Sequence, residues 1–189
     1  MRSPRERLLD AADDLFYKEG IQSVGVDRVI DRAGVAKASL YSTFGSKDEL
    51  AKAYLARRHE RRQIRIADTL AKHHTPRARL LGIFDSLADV TAGPSFRGCA
   101  FINARAEARK GSSIERVCDE MRAWTHSLFN SLARNAGAPD PHALGEDLVL
   151  LYDGAMASAR MDDDPKAPLR AKAIAERLLD AAIASAPKA

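Results

Sequence analysis

An all-α fold is predicted by three observations on the 189 residues. Apolar residues recur at helical spacing in one segment after another, and few stretches join β-branched residues to strict alternation. Glycines and prolines fall at the ends of those segments. Aliphatic residues and alanine are abundant and aromatics sparse, and the length suits one or two small domains with a real core.

The first helix opens at Ser3 as N-cap, with Pro4 in the first helical position and Glu6 completing a capping box. Leu8, Ala12, Leu15 and Phe16 share a face and Gly20 supplies the stop; Ile21 and Val24 continue the apolar surface. Two short segments follow, Val26 to Ala33 and Lys37 to Phe44, separated by Gly34 and Val35. A glycine there takes a positive φ at little cost, so one helix can stop and another start at a steep angle. That is the layout of a helix-turn-helix, whose second helix can lie in a DNA major groove. The expected headpiece core is Leu8, Leu15, Phe16, Val26, Val29, Ile30, Leu40 and Phe44. Gly45 ends the third helix, and Ser46 with Glu49 forms a second capping box. A long helix then runs from Lys47 to about Leu70, amphipathic at first and then basic through RRHERRQIR. Its Arg57, Arg58, Arg61, Arg62 and Arg65 read as a solvated face rather than as DNA contacts. Five further helices are expected: Arg77–Thr91, Gly98–Arg109, Ser112–Ala136, His142–Met161 and Pro168–Ser185.

The stretch DRVIDRAGVAKASLYSTFGSKDEL, from Asp27 to Leu50, resembles the DNA-binding domain of TetR-family transcriptional regulators, down to LYxxF at Leu40–Phe44 and SKDEL at Ser46–Leu50. The resemblance is specific over roughly residues 5–55. Beyond them it rests on the order of about nine helices and on RGCAFINARAEA (Arg97–Ala108), similar to a segment in some members. It implies a helix-turn-helix DNA-binding domain over 1–46, a connecting helix over 47–70, and a larger helical effector-binding and dimerisation domain over 71–189.

Leu40 and Phe44 point inward, so Lys37, Ala38, Ser39, Tyr41, Ser42 and Thr43 form the outer side of the reading helix. Lys37 is long enough for a guanine edge or a phosphate, the hydroxyls donate to either, and a Thr methyl can touch thymine. The resemblance implies that Tyr41 and Lys47 contact phosphates; for Tyr41 the rival reading is a half-buried aromatic that packs the headpiece. Many relatives carry a hydroxyl at the positions of Gly25 and Ala36, so one or two phosphate contacts are expected to be missing. Residues 1–65 carry 14 Lys/Arg against 10 Asp/Glu and residues 66–189 carry 16 against 16, which places the net charge of +4 with the helix-turn-helix.

Other classes find little support. No apolar run is long enough to span a membrane and the first residues lack a signal-peptide core, so a cytoplasmic protein is expected. His59, His73, His74, His126 and His142 form no H-E-x-x-H arrangement, and no Gly-rich phosphate loop or G-x-S-x-G elbow appears, so no enzyme and no cofactor are expected. Asp162, Asp163 and Asp164 before Pro165 read as a solvated turn rather than a metal site. Cys99 and Cys118 read as reduced packing thiols, with a thiol-based redox sensor as the alternative.

Within the larger domain the resemblance implies an apolar effector pocket among the fifth to eighth helices. The candidates are Phe84, Leu87, Phe101, Asn103, Met121, Trp124, Leu128, Tyr152 and Met156, with Arg105 and His126 as further polar candidates; plain core is the competing reading for each. The last two helices carry stripes suited to a homodimer, Leu148, Leu151, Ala155 and Ala159 on one and Ile174, Leu178, Ala181 and Ala182 on the other. The expected protein is a homodimeric repressor, released from a palindromic double-stranded operator by a small apolar or amphipathic ligand. The alternative is a DNA-binding architectural protein without effector.

Overall fold

The computed structural model describes residues 2–184, which form nine α-helices and no strand among the described residues. They are α1 (Pro4–Glu19), α2 (Val26–Ala33), α3 (Lys37–Phe44), α4 (Lys47–Lys72), α5 (Pro76–Thr91), α6 (Ala100–Glu107), α7 (Ser113–Asn135), α8 (Pro141–Met161) and α9 (Ala167–Ala184). Ser185, the expected last residue of the final helix, lies outside the described residues.

The local signals explain these limits. Ser3 and Glu6 form the reciprocal capping box of α1, with Pro4 at the start. Gly34 closes α2 in the left-handed conformation at φ 62°, which a residue with a Cβ adopts only at a cost. Ser46 Oγ accepts from the Glu49 N–H at 3.1 Å, but the Glu49 carboxylate turns to Lys52 instead of completing the second box. α6 is shorter than the expected Gly98–Arg109, because Cys99 and Ala108 are extended and act as its caps.

The chain forms two compact units, Met1–Arg61 with Cys99–Met121, and Arg62–Gly98 with Arg122–Ala189. They depart from the expected linear division at 46 and 70, because α6 and the first part of α7 fold with the headpiece. In the first unit, Leu8, Phe16, Val29, Ile30 and Leu40 share one core with Tyr54 and Leu55 of α4, Phe101 and Ala104 of α6, and Cys118 and Met121 of α7. Val26 and Phe44 are only partly buried against it. Phe16 meets Tyr54 edge to face at 5.7 Å, a favoured aromatic geometry.

In the second unit, α5, α8 and α9 pack on one another. Leu80, Ile83 and Phe84, Phe129 and Leu132, Leu148 and Tyr152, and Ala175 and Leu179 are among its buried apolar residues from successive helices. Tyr152 sits edge-on to Phe84 at 6.2 Å and to Phe129 at 5.6 Å. Ion pairs tie Lys172 to Asp85 and Arg77 to Asp180.

Candidate nucleic-acid interface

Burial of Leu40 fixes the rotation of α3. Lys37, Ala38, Tyr41, Ser42 and Thr43 are exposed and Ser39 is partly so. Tyr41, for which packing into the headpiece was the rival reading, is 46% exposed. Ser42 Oγ donates to the Ser39 carbonyl at 3.2 Å. Lys37 Nζ lies 2.9 Å from Asp27 Oδ1, and that bond holds its ammonium pKa above the ordinary range. The N-caps Gly25 of α2 and Ala36 of α3 make no side-chain cap hydrogen bond.

Lys47 opens α4 and is partly buried, and desolvation pushes its pKa down. Its Nζ lies 3.5 Å from the Gln22 carbonyl. The Gln22 N–H donates to Glu107 Oε2 at 2.7 Å, so the last residue of α6 caps the turn between α1 and α2. Gly20 in that turn has φ 91°, and a Cβ there would lie 2.6 Å from Glu107 Oε1. Sequence reasoning missed Glu107, because nothing local marks a carboxylate that acts on a turn 85 positions away.

The basic run of α4 is only in part the solvated face expected of it: Arg61 is exposed, whereas Arg57, Arg58 and Arg65 are half-buried and Arg62 is buried. Arg57 bonds Asp10 at 2.8 Å and the Leu9 carbonyl at 2.6 Å. Arg58 bonds Asp13 at 2.7 Å and stacks 3.7 Å over the Tyr17 ring, while Arg61 reaches Asp13 at 3.2 Å. Arg62 is buried, over the rings of Trp124 at 5.7 Å and Tyr152 at 5.3 Å, and Arg65 is half-buried. The acidic side of α1 draws Arg57 and Arg58 inward, and the aromatic interior of the second unit draws Arg62. Arg57, Arg58 and Arg61 are thus committed to Asp10 and Asp13 rather than held free for phosphates.

The effector candidates divide between the units. Phe84, Leu87, Trp124, Leu128, Tyr152 and Met156 belong to the second, and Phe101, Asn103 and Met121 to the first. Asn103 is exposed and Phe101 buried. Arg105 is exposed and pairs with Glu115, and His126 Nδ1 lies 2.7 Å from Glu146.

On the dimer stripes, Leu148 is 0% exposed, so it packs its own unit and cannot reach a partner; Ala155 and Ala159 are likewise buried. An apolar groove of about 570 Å³ between α8 and α9 is lined by Leu150, Leu151, Ala155, Ile174 and Leu178, among others. The accessible face of α8 is therefore rotated toward Leu150, which is 73% exposed. Ala181 is exposed and Ala182 partly so.

Cys118 Sγ donates to the Phe101 carbonyl at 3.5 Å, and burial pushes its thiol up to about 11. Asp164 accepts from the Lys166 N–H at 2.9 Å and pairs with Arg170, a turn rather than a cation cage. Among the described residues no group of three His, Cys, Asp or Glu is placed to hold a metal, and no helix is long and apolar enough to cross a membrane.

A steep two-helix turn whose second helix buries one side and offers a polar, tyrosine-bearing other side defines a helical DNA-binding protein. Residues 8–54 match the family described as bacterial regulatory proteins, tetR family. A TetR-family transcriptional regulator of Streptomyces coelicolor is 33% identical, with 95% of this chain and 96% of that one covered and a TM-score of 0.90. Another, from Streptomyces avermitilis, is 35% identical over 96% and 98% of the two chains, with a TM-score of 0.79. The chain belongs to the TetR family of transcriptional regulators and is a DNA-binding regulator. It also resembles the transcriptional activator FasR of Mycolicibacterium smegmatis, 29% identical over 133 residues that make up 70% of this chain and 60% of FasR. The chain spans less than two thirds of the length of the first curated relatives it matches.

Proposed function

We propose that this regulator is a non-enzymatic homodimeric repressor that binds a palindromic operator and leaves it when a small ligand enters the second unit. The observation that carries the DNA half is the outward set Lys37, Ala38, Ser39, Tyr41, Ser42 and Thr43 above a buried Leu40. Lys37 is the base-edge or phosphate donor, Ser42 and Thr43 are donors beside it, and Tyr41 with Lys47 holds the backbone. One headpiece neutralises few phosphates, so useful affinity needs two heads on half-sites about a helical turn apart.

The groove between α8 and α9 supports a second copy as the partner. Its floor is apolar, and its rim carries Asp147 from α8 and Arg170 from α9. A two-fold axis repeats the same patch on both subunits, so opposite charges on one rim are self-complementary. Release then requires a ligand that favours the state unable to bind DNA, because equal affinity for both states shifts nothing. α4, whose residues belong to both units, is the element through which we infer that the ligand acts.

The test is sedimentation together with fluorescence anisotropy on an operator selected from random DNA. A dimer that binds a two-fold site with a steep salt slope is expected. A monomer binding the full site as tightly would overturn the two-headed reading. Higher transcription from the occupied operator would make the protein an activator. A DNA complex that no small molecule dissociates would favour the architectural reading.

A further inference from the structure

Arginines around the headpiece are mostly engaged. Arg2, Arg28 and Arg32 end on Asp10, Glu19 and Asp14, and Arg57, Arg58 and Arg61 end on Asp10 and Asp13. Arg7 donates to the Gly34 carbonyl at 2.9 Å and so braces the turn between α2 and α3. Arg5 differs. It is exposed, no carboxylate pairs with it among the described residues, and its guanidinium lies 5.7 Å over the Phe44 ring. Contact with a ring face engages the charge of a guanidinium but leaves the N–H donors in its plane able to bond elsewhere.

The helix that carries Arg5 does not account for it. The residue stands in the first turn of α1, where the helix dipole favours acidic side chains and disfavours a cation. Its charge acts on α3 instead. Phe44 is the last residue of α3, which has no basic residue in its own last turn, and a cation there complements the partial negative charge of the helix end. Phe44 is also the i+3 neighbour of Tyr41, which is 46% exposed. Arg5 therefore gives the reading helix a positive group at the end opposite Lys37. In helix-turn-helix proteins the N-terminal residues of the reading helix meet base edges, and its C-terminal end lies toward the sugar–phosphate backbone. A guanidinium fork matches two phosphate oxygens. The Phe44 ring holds the long side chain near that position, which lowers the entropy lost on binding.

We propose that Arg5 is a further DNA-binding residue, which holds a phosphate of the operator backbone beside the C-terminal end of α3. The assignment rests on α3 as the reading helix and adds a contact that α1 supplies. Lys37 reaches the DNA from one end of α3 and Arg5 from the other, so together they fix the tilt of that helix in the groove.

The full chain is titrated by fluorescence anisotropy, over a salt series, on an operator selected from random DNA and on a scrambled duplex. Arg5→Ala is expected to weaken both by a similar factor, about tenfold. It should also make the slope of log affinity against log salt shallower by about one for each head bound. Arg5→Lys keeps the charge and should restore the slope while recovering part of the affinity. Arg61→Ala removes the same charge from an arginine that ends on Asp13 and should leave the slope as in the parent. A loss of affinity with an unchanged slope, or one that lysine does not relieve, would make Arg5 a brace for Phe44 and overturn the proposal. A loss confined to particular flanking bases would make it a base reader and overturn the phosphate assignment. Unchanged affinity in Arg5→Ala, while Lys37→Ala weakens the operator, overturns the Arg5 contact and leaves α3 as the reading helix. Unchanged affinity in both overturns the reading of α3 as well.

Discussion

Lys37 enters any DNA contact with a partner already in place. Its Nζ is 2.9 Å from Asp27, and both side chains are well exposed, so solvent screening leaves the pair worth little. A phosphate or a guanine edge outcompetes it, after which Asp27 is an uncompensated negative charge beside DNA. Two opposite outcomes are expected from anisotropy at fixed salt. Lys37→Ala weakens operator binding, by about 1–3 kcal/mol if the contact is a bidentate base pairing. Asp27→Asn strengthens it. Equal weakening by both substitutions would mean that the ion pair shapes the headpiece rather than restrains the lysine. The exposed side of α3 was legible in sequence because Leu40 and Phe44 at i and i+4 fix the inward direction. The Asp27 contact was not, since it joins two helices across a turn whose angle the pattern leaves open.

At the scale of elements, helix identity and order follow from local chemistry. The capping box at Ser3 and the left-handed Gly34 act within a few residues of where they stand, which is why the first three helices begin and end where their residues say. Partner choice between helices is different. The division of α4 into arginines that bond Asp10 and Asp13 and arginines that enter the second unit depends on elements far along the chain. So does the rotation of α8, where period alone does not tell the side that meets α5 and α9 from the side left open: Leu148 goes inward, and Leu150 and Leu151 border the groove. Leu151→Glu with Leu178→Glu is therefore expected to give a folded monomer by sedimentation with an unchanged helical spectrum, while Leu148→Ala, a core deletion, costs about 2–5 kcal/mol of stability. A double variant that stays dimeric would place the interface elsewhere. Glu107→Ala frees the Gln22 N–H and the α1–α2 turn. Weaker operator binding with a nearly unchanged melting midpoint is the expected result, and normal affinity would limit Glu107 to a surface cap.

The whole molecule is stabilised by groups that titrate on either side of neutrality, and their signs set a pH window. On the acid side, the Lys18 hydrogen bond holds Asp14 below its ordinary 3.8. Burial raises Asp10, but the Arg57 and Arg2 contacts outweigh it and leave that carboxyl low as well. A depressed carboxylate contributes stability that is complete above its unfolded value and is lost as pH falls through the folded one. The loss therefore belongs below about pH 4. On the alkaline side, burial raises Cys118 from 9.0 to about 11 and pushes Tyr54 up as well. A raised thiol or phenol contributes stability present below the unfolded value and lost as pH rises toward the folded one. Between pH 9 and 11 the unfolded chain releases the Cys118 proton while the folded one keeps it, so denaturant midpoints should decline across that interval. Cys118→Ala removes this contribution and should flatten the decline, at a modest cost in packing near neutral pH. The same burial keeps the thiol protonated, and the thiolate is the nucleophile that peroxide oxidises. Operator binding is accordingly expected to survive peroxide equally in the parent and in Cys99→Ser with Cys118→Ala. Release of the parent by peroxide, lost in the double variant, would show that the cysteines sense oxidant and that the fold opens enough to expose Cys118.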